Sequence, residues 1–453
     1  MPQNFLGANA IPTFRNLREN RYLQWGVSVD MSDEIKLLHT PAGIPVITES
    51  VSHSHSASAA VYLGTGSRDE TDKKAGIAHL LEHMMFKGTP KRNSRDIAEE
   101  IEAAGGEHNG YTTYEVTCYH ISSLDETFQS SADILSDMVK NPLLKQSDLD
   151  TERNVVIQEI RMMENDPDDY IHTLFSQTIW GDHPLGRSEA GFTETVKALN
   201  AEDLREFFES NYRPPRMAVV ATGNIDEDEI VSWASENFDD LGKAEERERI
   251  APQANARFMV YPKKDPQAYI CMGFPALKSA DPERHAQRLM SAVFGAGMSS
   301  RLFQEIREKT GMVYEIYSSG TAYTDCGTLD ILFNTDVKKE EEIIRLVAAE
   351  IKSLKEEGLK PGELDRAKHM MKGAYVRRFE SSEARMIRLG ESYMSTGKIT
   401  SIEDLLKKMD AVTEEDVLKI AGRLLDRSRL NIAIHAPEKE SKKAVKNLED
   451  LDF

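Results

Sequence analysis

The pentapeptide His79-Leu80-Leu81-Glu82-His83 constrains this chain more than any other stretch, because its polar residues converge only if it is helical. On an α-helix, residues four apart lie one above the other, so His79 and His83 reach the same point in space. Glu82, three residues after His79, projects close to that point without having to occupy it. Two imidazoles and a neighbouring carboxylate are what a zinc peptidase needs: two ligands, and a base to take a proton from water. The order His-x-x-Glu-His is the inverted form of the commoner zinc-peptidase helix.

A third ligand has to come from elsewhere. The segment 148–165 opens with acids and closes before Pro167, which predicts a helix. Within it Glu152 and Glu159 stand seven apart, two turns along one face, flanking Val155, Val156 and Ile160. A carboxylate on a partly apolar face is costly to bury unless it is paired or metal-bound. On local sequence alone, a solvated amphipathic helix carrying ordinary surface acids is the favoured reading of the segment.

The motifs around these residues extend the pattern. Gly64-Thr65-Gly66-Ser67-Arg68-Asp69-Glu70 precedes the pentapeptide and Met85-Phe86-Lys87-Gly88-Thr89 follows it. Gly105-Gly106, Asn109-Gly110-Tyr111-Thr112 and Glu115-Val116-Thr117 come next, then Glu152-Arg153, Glu159-Ile160-Arg161 and His183-Pro184-Leu185-Gly186. Further on stand Ser300-Arg301-Leu302-Phe303-Gln304-Glu305-Ile306-Arg307 and Gly311-Met312-Val313-Tyr314. Over residues 35–435 the chain resembles the pitrilysin family of zinc peptidases. It is most similar to the half-sized members that include the mitochondrial processing peptidase subunits.

The resemblance implies one zinc ion per chain on His79, His83 and Glu159, with Glu82 as base and Glu152 orienting a histidine. It implies that Asn109, Gly110, Tyr111 and Thr112 lie on a strand that pairs with an extended peptide, Asn109 fixing a substrate carbonyl. It also implies that Arg307 and Tyr314 stabilise the negative charge developing on the reacting carbonyl, as guanidinium and phenol donors can. A half-sized chain is not expected to fold its second domain over its own metal. The two residues are therefore expected to act across a homodimer, each subunit completing its partner's site. The alternatives are a catalytically silent structural or assembly subunit, and the active subunit of a hetero-oligomeric processing peptidase. Gly110, where many relatives have Ala, and Thr310, where many have Arg, bear on fine specificity.

The expected fold is α+β: two tandem similar domains, each an antiparallel-rich sheet packed with helices. The expected boundaries are an N-terminal extension over 1–34, a metal-binding domain over 35–241, a linker over 242–256 and a non-metal domain over 257–453. If Phe86 is laid on Phe294, His79, Glu82 and His83 fall on Gln287, Met290 and Ser291, so the second copy lacks the ligands. Runs 57–63, 217–222, 268–274 and 430–436 read as strands. His53 and His55 alternate as on a strand, and Tyr22 and Trp25 suggest packing in the extension. His108 and His120 flank the substrate strand without ligand spacing, and Gly295-Ala296-Gly297 reads as a flexible loop rather than a phosphate loop.

A chain of 453 residues exceeds one ordinary core. No apolar stretch is long enough to span a bilayer. A net charge of −20 argues against a nucleic-acid partner, whose phosphates it repels. Three cysteines, Cys118, Cys271 and Cys326, fit a reducing compartment better than a disulfide framework, and with no secretory signal the expected location is cytoplasmic.

Overall fold

The computed structural model describes residues 34–245, 247–448 and 451–453. The extension expected over 1–34, with Tyr22 and Trp25, lies outside them but for Glu34. The first half builds a six-stranded sheet from β1 (Ile35–His39), β2 (Pro45–Ser50), β3 (Ser56–Leu63), β4 (Glu107–Thr112), β5 (Thr117–Leu124) and β6 (Met217–Gly223), in the order β1-β2-β6-β3-β5-β4. The second half builds a five-stranded sheet from β7 (Phe258–Pro262), β8 (Gln267–Pro275), β9 (Ile316–Ala322), β10 (Gly327–Asp336) and β11 (Asn431–Ala436), in the order β7-β11-β8-β10-β9.

The two sheets share one plan. Each has a single parallel pair, β2 with β6 and β7 with β11, and every other pair is antiparallel. In each, a helix follows the central strand: Ile77–Met85 after β3 and Arg284–Gly295 after β8. The molecule is thus an α+β protein of two similar domains. His53 and His55 are exposed in the turn before β3 and do not belong to a strand. Their neighbours Ser52 and Ser54 supply no apolar face to hold a strand down, and Ser54 Oγ instead donates to the Ser56 carbonyl at 2.9 Å.

The near-continuous apolar runs of β3 and β8 have a direct cause, since each strand is buried on both faces. Ala57, Ala59, Val61 and Leu63 face the first half's own core with Leu80, Leu81, Ile134 and Leu135. Ala60 and Tyr62 face the other way, against Met386 and Leu389 of the Ser382–Thr396 helix from the second half. The second sheet mirrors this. Ile270, Met272 and Phe274 face their own core, while Tyr269 and Cys271 meet Ile171, Leu174 and Phe175 of the Pro167–Trp180 helix from the first half. Each half therefore lends one helix to the other's sheet, and packing crosses the chain boundary set by the 242–256 segment.

That segment is strapped down along part of its length. Arg247 Nη2 donates to the Gly64 carbonyl at 2.6 Å, Arg249 pairs with Asp69 at 2.7 Å, and the Ile250 carbonyl accepts from Arg68 at 2.8 Å and His183 at 2.9 Å. Arg68 in turn meets Glu115 and, from the second half, Asp325, both at 2.6 Å. Among the described residues no helix is long and apolar enough to cross a membrane.

Candidate metal centre

The Ile77–Met85 helix begins at Gly76, whose φ is +93° and where a Cβ would stand only 2.5 Å from the Ala190 carbonyl oxygen, which leaves no room for a side chain. Its first free N–H groups are satisfied by Glu70, whose carboxylate accepts from Gly76 N and Ala78 N, each at 2.8 Å. Ile77, Ala78, Leu80, Leu81, Met84 and Met85 are buried and lock the helix to the sheet. The remaining face carries His79, Glu82 and His83.

The third carboxylate comes from the Gln146–Asn165 helix, two residues longer at its start than the sequence predicts. Leu149, Glu152, Val156 and Ile160 form its buried stripe, while Val155 turns outward. Glu159 Oε2 lies 3.4 Å from His83 Nε2 and 3.8 Å from His79 Nε2. One ligand atom from each of these three residues falls within 4.8 Å of the others. Tetrahedral ligands about 2.0–2.1 Å from zinc stand about 3.3 Å apart, so the Glu159 contacts at 3.4 and 3.8 Å lie near the spacing such an ion requires. Burial, with His83 beside it, lowers the His79 pKa to about 4, which keeps the imidazole neutral and its lone pair available.

The surroundings orient the set. His83 Nδ1 lies 3.2 Å from Glu152 Oε2, so a proton on Nδ1 leaves Nε2 free to face Glu159. The other oxygen of Glu152 meets Lys87 Nζ at 2.7 Å. Thr112 Oγ1 donates to Glu82 Oε2 at 2.7 Å. Burial raises the Glu82 pKa, the neighbouring Glu159 charge adds to this, and the Thr112 bond and His83 oppose it. Lys87 and Thr112 both stand in the motifs read from the sequence, but their bonds to Glu152 and Glu82 do not follow from it. Lys87 is four residues from His83, which was the available signal for its position. Glu70 as the helix cap had no such signal.

β4 is the edge strand of the first sheet, paired on one side with β5. Asn109 is exposed, its Oδ1 accepting from Gly110 N at 2.9 Å, and Tyr111 Oη donates to Tyr62 Oη at 3.3 Å. A cavity of about 1430 Å³ runs past His79, Glu159 and Tyr111–Val116, and its far wall comes from the second half, with Gln287, Arg288 and Gly320–Tyr323. The second domain thus does reach over its own chain's cluster, contrary to expectation, because the lent helices hold the halves face to face.

Arg307 and Tyr314 do not line that cavity. Arg307 sits in the helix over 301–310, its Nη1 2.7 Å from Glu308 and its guanidinium 5.7 Å from the Phe303 ring centre. Tyr314 lies in the connection to β9 and is 82% exposed. The structure therefore brings together His79, His83, Glu159, Glu82 and Glu152, beside Thr112, and leaves Arg307 and Tyr314 apart from them within one chain. His108 packs against Phe86, with ring centres 5.4 Å apart, and His120 is buried 3.4 Å from Glu383.

Residues 45–191 match the sequence profile described as insulinase (peptidase family M16), and residues 198–371 match that of the peptidase M16 inactive domain. An uncharacterized zinc protease from Streptomyces coelicolor is 35% identical over 88% of this chain and 89% of its own length. The chain belongs to the M16 peptidase family. It fits the half-sized pitrilysin-type members, as the motifs implied. The uncharacterized zinc protease YmxG of Bacillus subtilis is 33% identical over 84% of this chain and 93% of its own. The fold is shared with a protease from Helicobacter pylori, at a TM-score of 0.82 and 20% identity, covering 89% of this M16 chain and 100% of that one. It is shared too with a peptidase M16 inactive domain from Pseudomonas fluorescens, at a TM-score of 0.81 and 19% identity, covering 89% and 98%.

Proposed function

We propose that this chain is a zinc-dependent endopeptidase that hydrolyses short or unfolded peptides. One observation carries the reading: ligand atoms of His79, His83 and Glu159 converge within 4.8 Å of one another while Glu82, on the helix of the two histidines, is buried beside them and held by Thr112. Zinc held by these three residues, one ion per chain, supplies Lewis acidity that polarises the scissile carbonyl and makes water readily deprotonated near neutral pH. Glu82 commits Oε2 to Thr112, and Oε1, with no protein partner among the described residues, takes the proton and returns it to the leaving nitrogen. Glu152 holds the His83 ring and its tautomer.

The open edge of β4 supports binding of the peptide as an added strand over Asn109, Gly110, Tyr111 and Thr112. Such pairing engages backbone before side chains, which suits unfolded substrates. Arg307 and Tyr314 are assigned to the active site of a second copy in a homodimer, which suits a tyrosine left 82% exposed outside its own cavity. All three thiols are free, consistent with a reducing compartment, and the cytoplasm is the location proposed. A silent structural subunit is the competing reading, and the complete set of ligands and base favours the enzyme.

The test is cleavage of a mixed set of unstructured peptides, read by mass spectrometry, with the parent protein beside Glu82→Gln. Cleavage by the parent alone supports the reading. Equal cleavage by both, or none by the parent supplied with zinc, refutes it.

A further inference from the structure

Across the cavity from the metal cluster, the second half contributes Arg284, Arg288, Arg378 and Arg388 to the wall, along with Asp330, Glu383 and Glu391. Its Arg284–Gly295 helix is the counterpart of the metal helix, and the residues at the ligand positions are already engaged. Gln287 Oε1 accepts from Leu277 N at 3.0 Å, and Ser291 Oγ bonds Ser318 Oγ at 2.9 Å. Arg284 and Arg288, one turn apart on this helix, both line the cavity. Arg284 Nη1 reaches a backbone carbonyl, that of Asp281, at 3.2 Å, and Arg288 Nη1 reaches Tyr375 Oη at 3.4 Å.

Neither guanidinium has a carboxylate at ion-pair distance among the described residues, although the chain carries Asp+Glu 76 against Lys+Arg 56. The carboxylate of Asp281, the acid acting on Arg284, accepts from Glu283 N at 2.8 Å. Arg284 is half-buried and Arg288 exposed, whereas the buried Arg301 pairs with Glu363 at 2.6 Å and the buried Arg385 with Glu49 at 2.9 Å. Between Arg284 and Arg288 in sequence stands His285, which also lines the cavity. It is 5% exposed, and both its ring nitrogens are buried without a hydrogen-bond partner. Burial, with Arg284, Arg288 and Lys408 nearby, lowers its pKa to about 4, so it offers a neutral N–H donor. Like charges four apart on a helix destabilise it, and an unpartnered buried imidazole adds to the cost. A bound anion relieves both.

We infer that Arg284 and Arg288, with Tyr375 and His285, form a subsite that takes a carboxylate of the peptide substrate. The inference rests on the peptidase reading above. Tyr111 and Thr112 of β4 line the same cavity, so a peptide paired there shares it with these residues, which would take an Asp or Glu side chain or the terminal carboxylate of a short peptide. Acidic peptides are then preferred despite the chain's net charge of −20. Distant surface charges are screened beyond about 8–10 Å, whereas a guanidinium–carboxylate contact is not.

The test measures binding, so that it does not depend on hydrolysis. The full-length Glu82→Gln protein is titrated into three fluorescently labelled peptides. One is neutral and C-terminally amidated, one is the same with a free C-terminus, and one is amidated with a single Asp. Anisotropy is expected to show a Kd about tenfold lower for at least one carboxylate peptide, and which one identifies the source of the anion. Adding Arg284→Gln and Arg288→Gln brings the ratio towards one, and Arg→Lys at both retains part of it. Arg288→Gln alone, at an exposed position, serves if the double variant does not fold. Equal Kd values for all three peptides, or a preference that survives loss of the arginines, overturns the subsite. Failure of the parent to cleave any peptide overturns the peptidase reading, and the Kd ratio still decides the subsite.

Discussion

Glu152→Gln tests whether the residue behind the histidine controls the metal. The carboxylate bridges His83 Nδ1, at 3.2 Å, and Lys87 Nζ, at 2.7 Å, with its side chain only 9% exposed. The amide keeps the shape but withdraws the charge, and its single carbonyl oxygen can accept from only one of the two. A hydrogen bond to an ionised partner contributes about 1.5–3 kcal/mol, roughly twice a neutral one. Losing half of that weakens zinc binding by about 0.8–1.5 kcal/mol, about four- to twelvefold. The upper figure meets the low end of the 10–100-fold range typical of partners that orient metal-bound histidines. Glu152→Ala, which removes the acceptor altogether, falls nearer the upper end. The assay is competition for zinc against a chromophoric chelator near neutral pH, with circular dichroism to verify the fold. A zinc Kd within about twofold of the parent in both variants refutes the assigned role.

Three further outcomes follow from the same geometry. Thr112→Val removes the bond that favours the Glu82 carboxylate, so the acidic limb of kcat/KM moves to higher pH, and a limb that stays or moves down contradicts this. Burial pushes the Asp137 pKa up, but bonds from Thr89 at 2.6 Å, Asn141 at 3.1 Å and Arg92 at 2.9 Å outweigh it and hold the group below its ordinary 3.8. A depressed carboxylate contributes stability above its unfolded pKa and loses it as pH falls through the folded one. Asp137→Asn therefore costs about 1–3 kcal/mol near neutral pH, and the gap to the parent in urea unfolding closes in strong acid. A gap that is constant with pH would falsify that account. At Gly390, on the lent Ser382–Thr396 helix, a Cβ would overlap the ring of fully buried Tyr62. The overlap costs Gly390→Ala about 2–3 kcal/mol against the ~1 kcal/mol it gains in helix propensity, a net loss of about 1–2 kcal/mol, and an unchanged or higher urea midpoint refutes the packing.

The metal helix was readable because its chemistry is local, with ligand spacing and helical periodicity in one pentapeptide. The second repeat was readable as an echo of Phe86 in Phe294, and the shared strand order of the two sheets agrees with it. Lending Pro167–Trp180 to one sheet and Ser382–Thr396 to the other left no sequence signal, since an apolar stripe does not say which sheet it covers. One expectation fails in consequence, since the second domain covers its own chain's cluster; Arg307 and Tyr314 stand outside that cavity, as residues expected to act on a partner's site would. Arg284 and Arg288 look like ordinary helix-surface charges until the opposite wall is in place. The alternation of His53 and His55 suggested a strand, but a strand with no apolar face has nothing to hold it to the sheet.

The most direct measurement is a zinc titration of chelator-stripped protein with peptide hydrolysis as the readout, run in parallel on Glu82→Gln. Activity of the parent should rise linearly and saturate at one zinc per chain, and Glu82→Gln should bind the same one equivalent and stay silent. Hydrolysis by the stripped protein, or by zinc-loaded Glu82→Gln at the parent's rate, would contradict the assignment of His79, His83, Glu159 and Glu82.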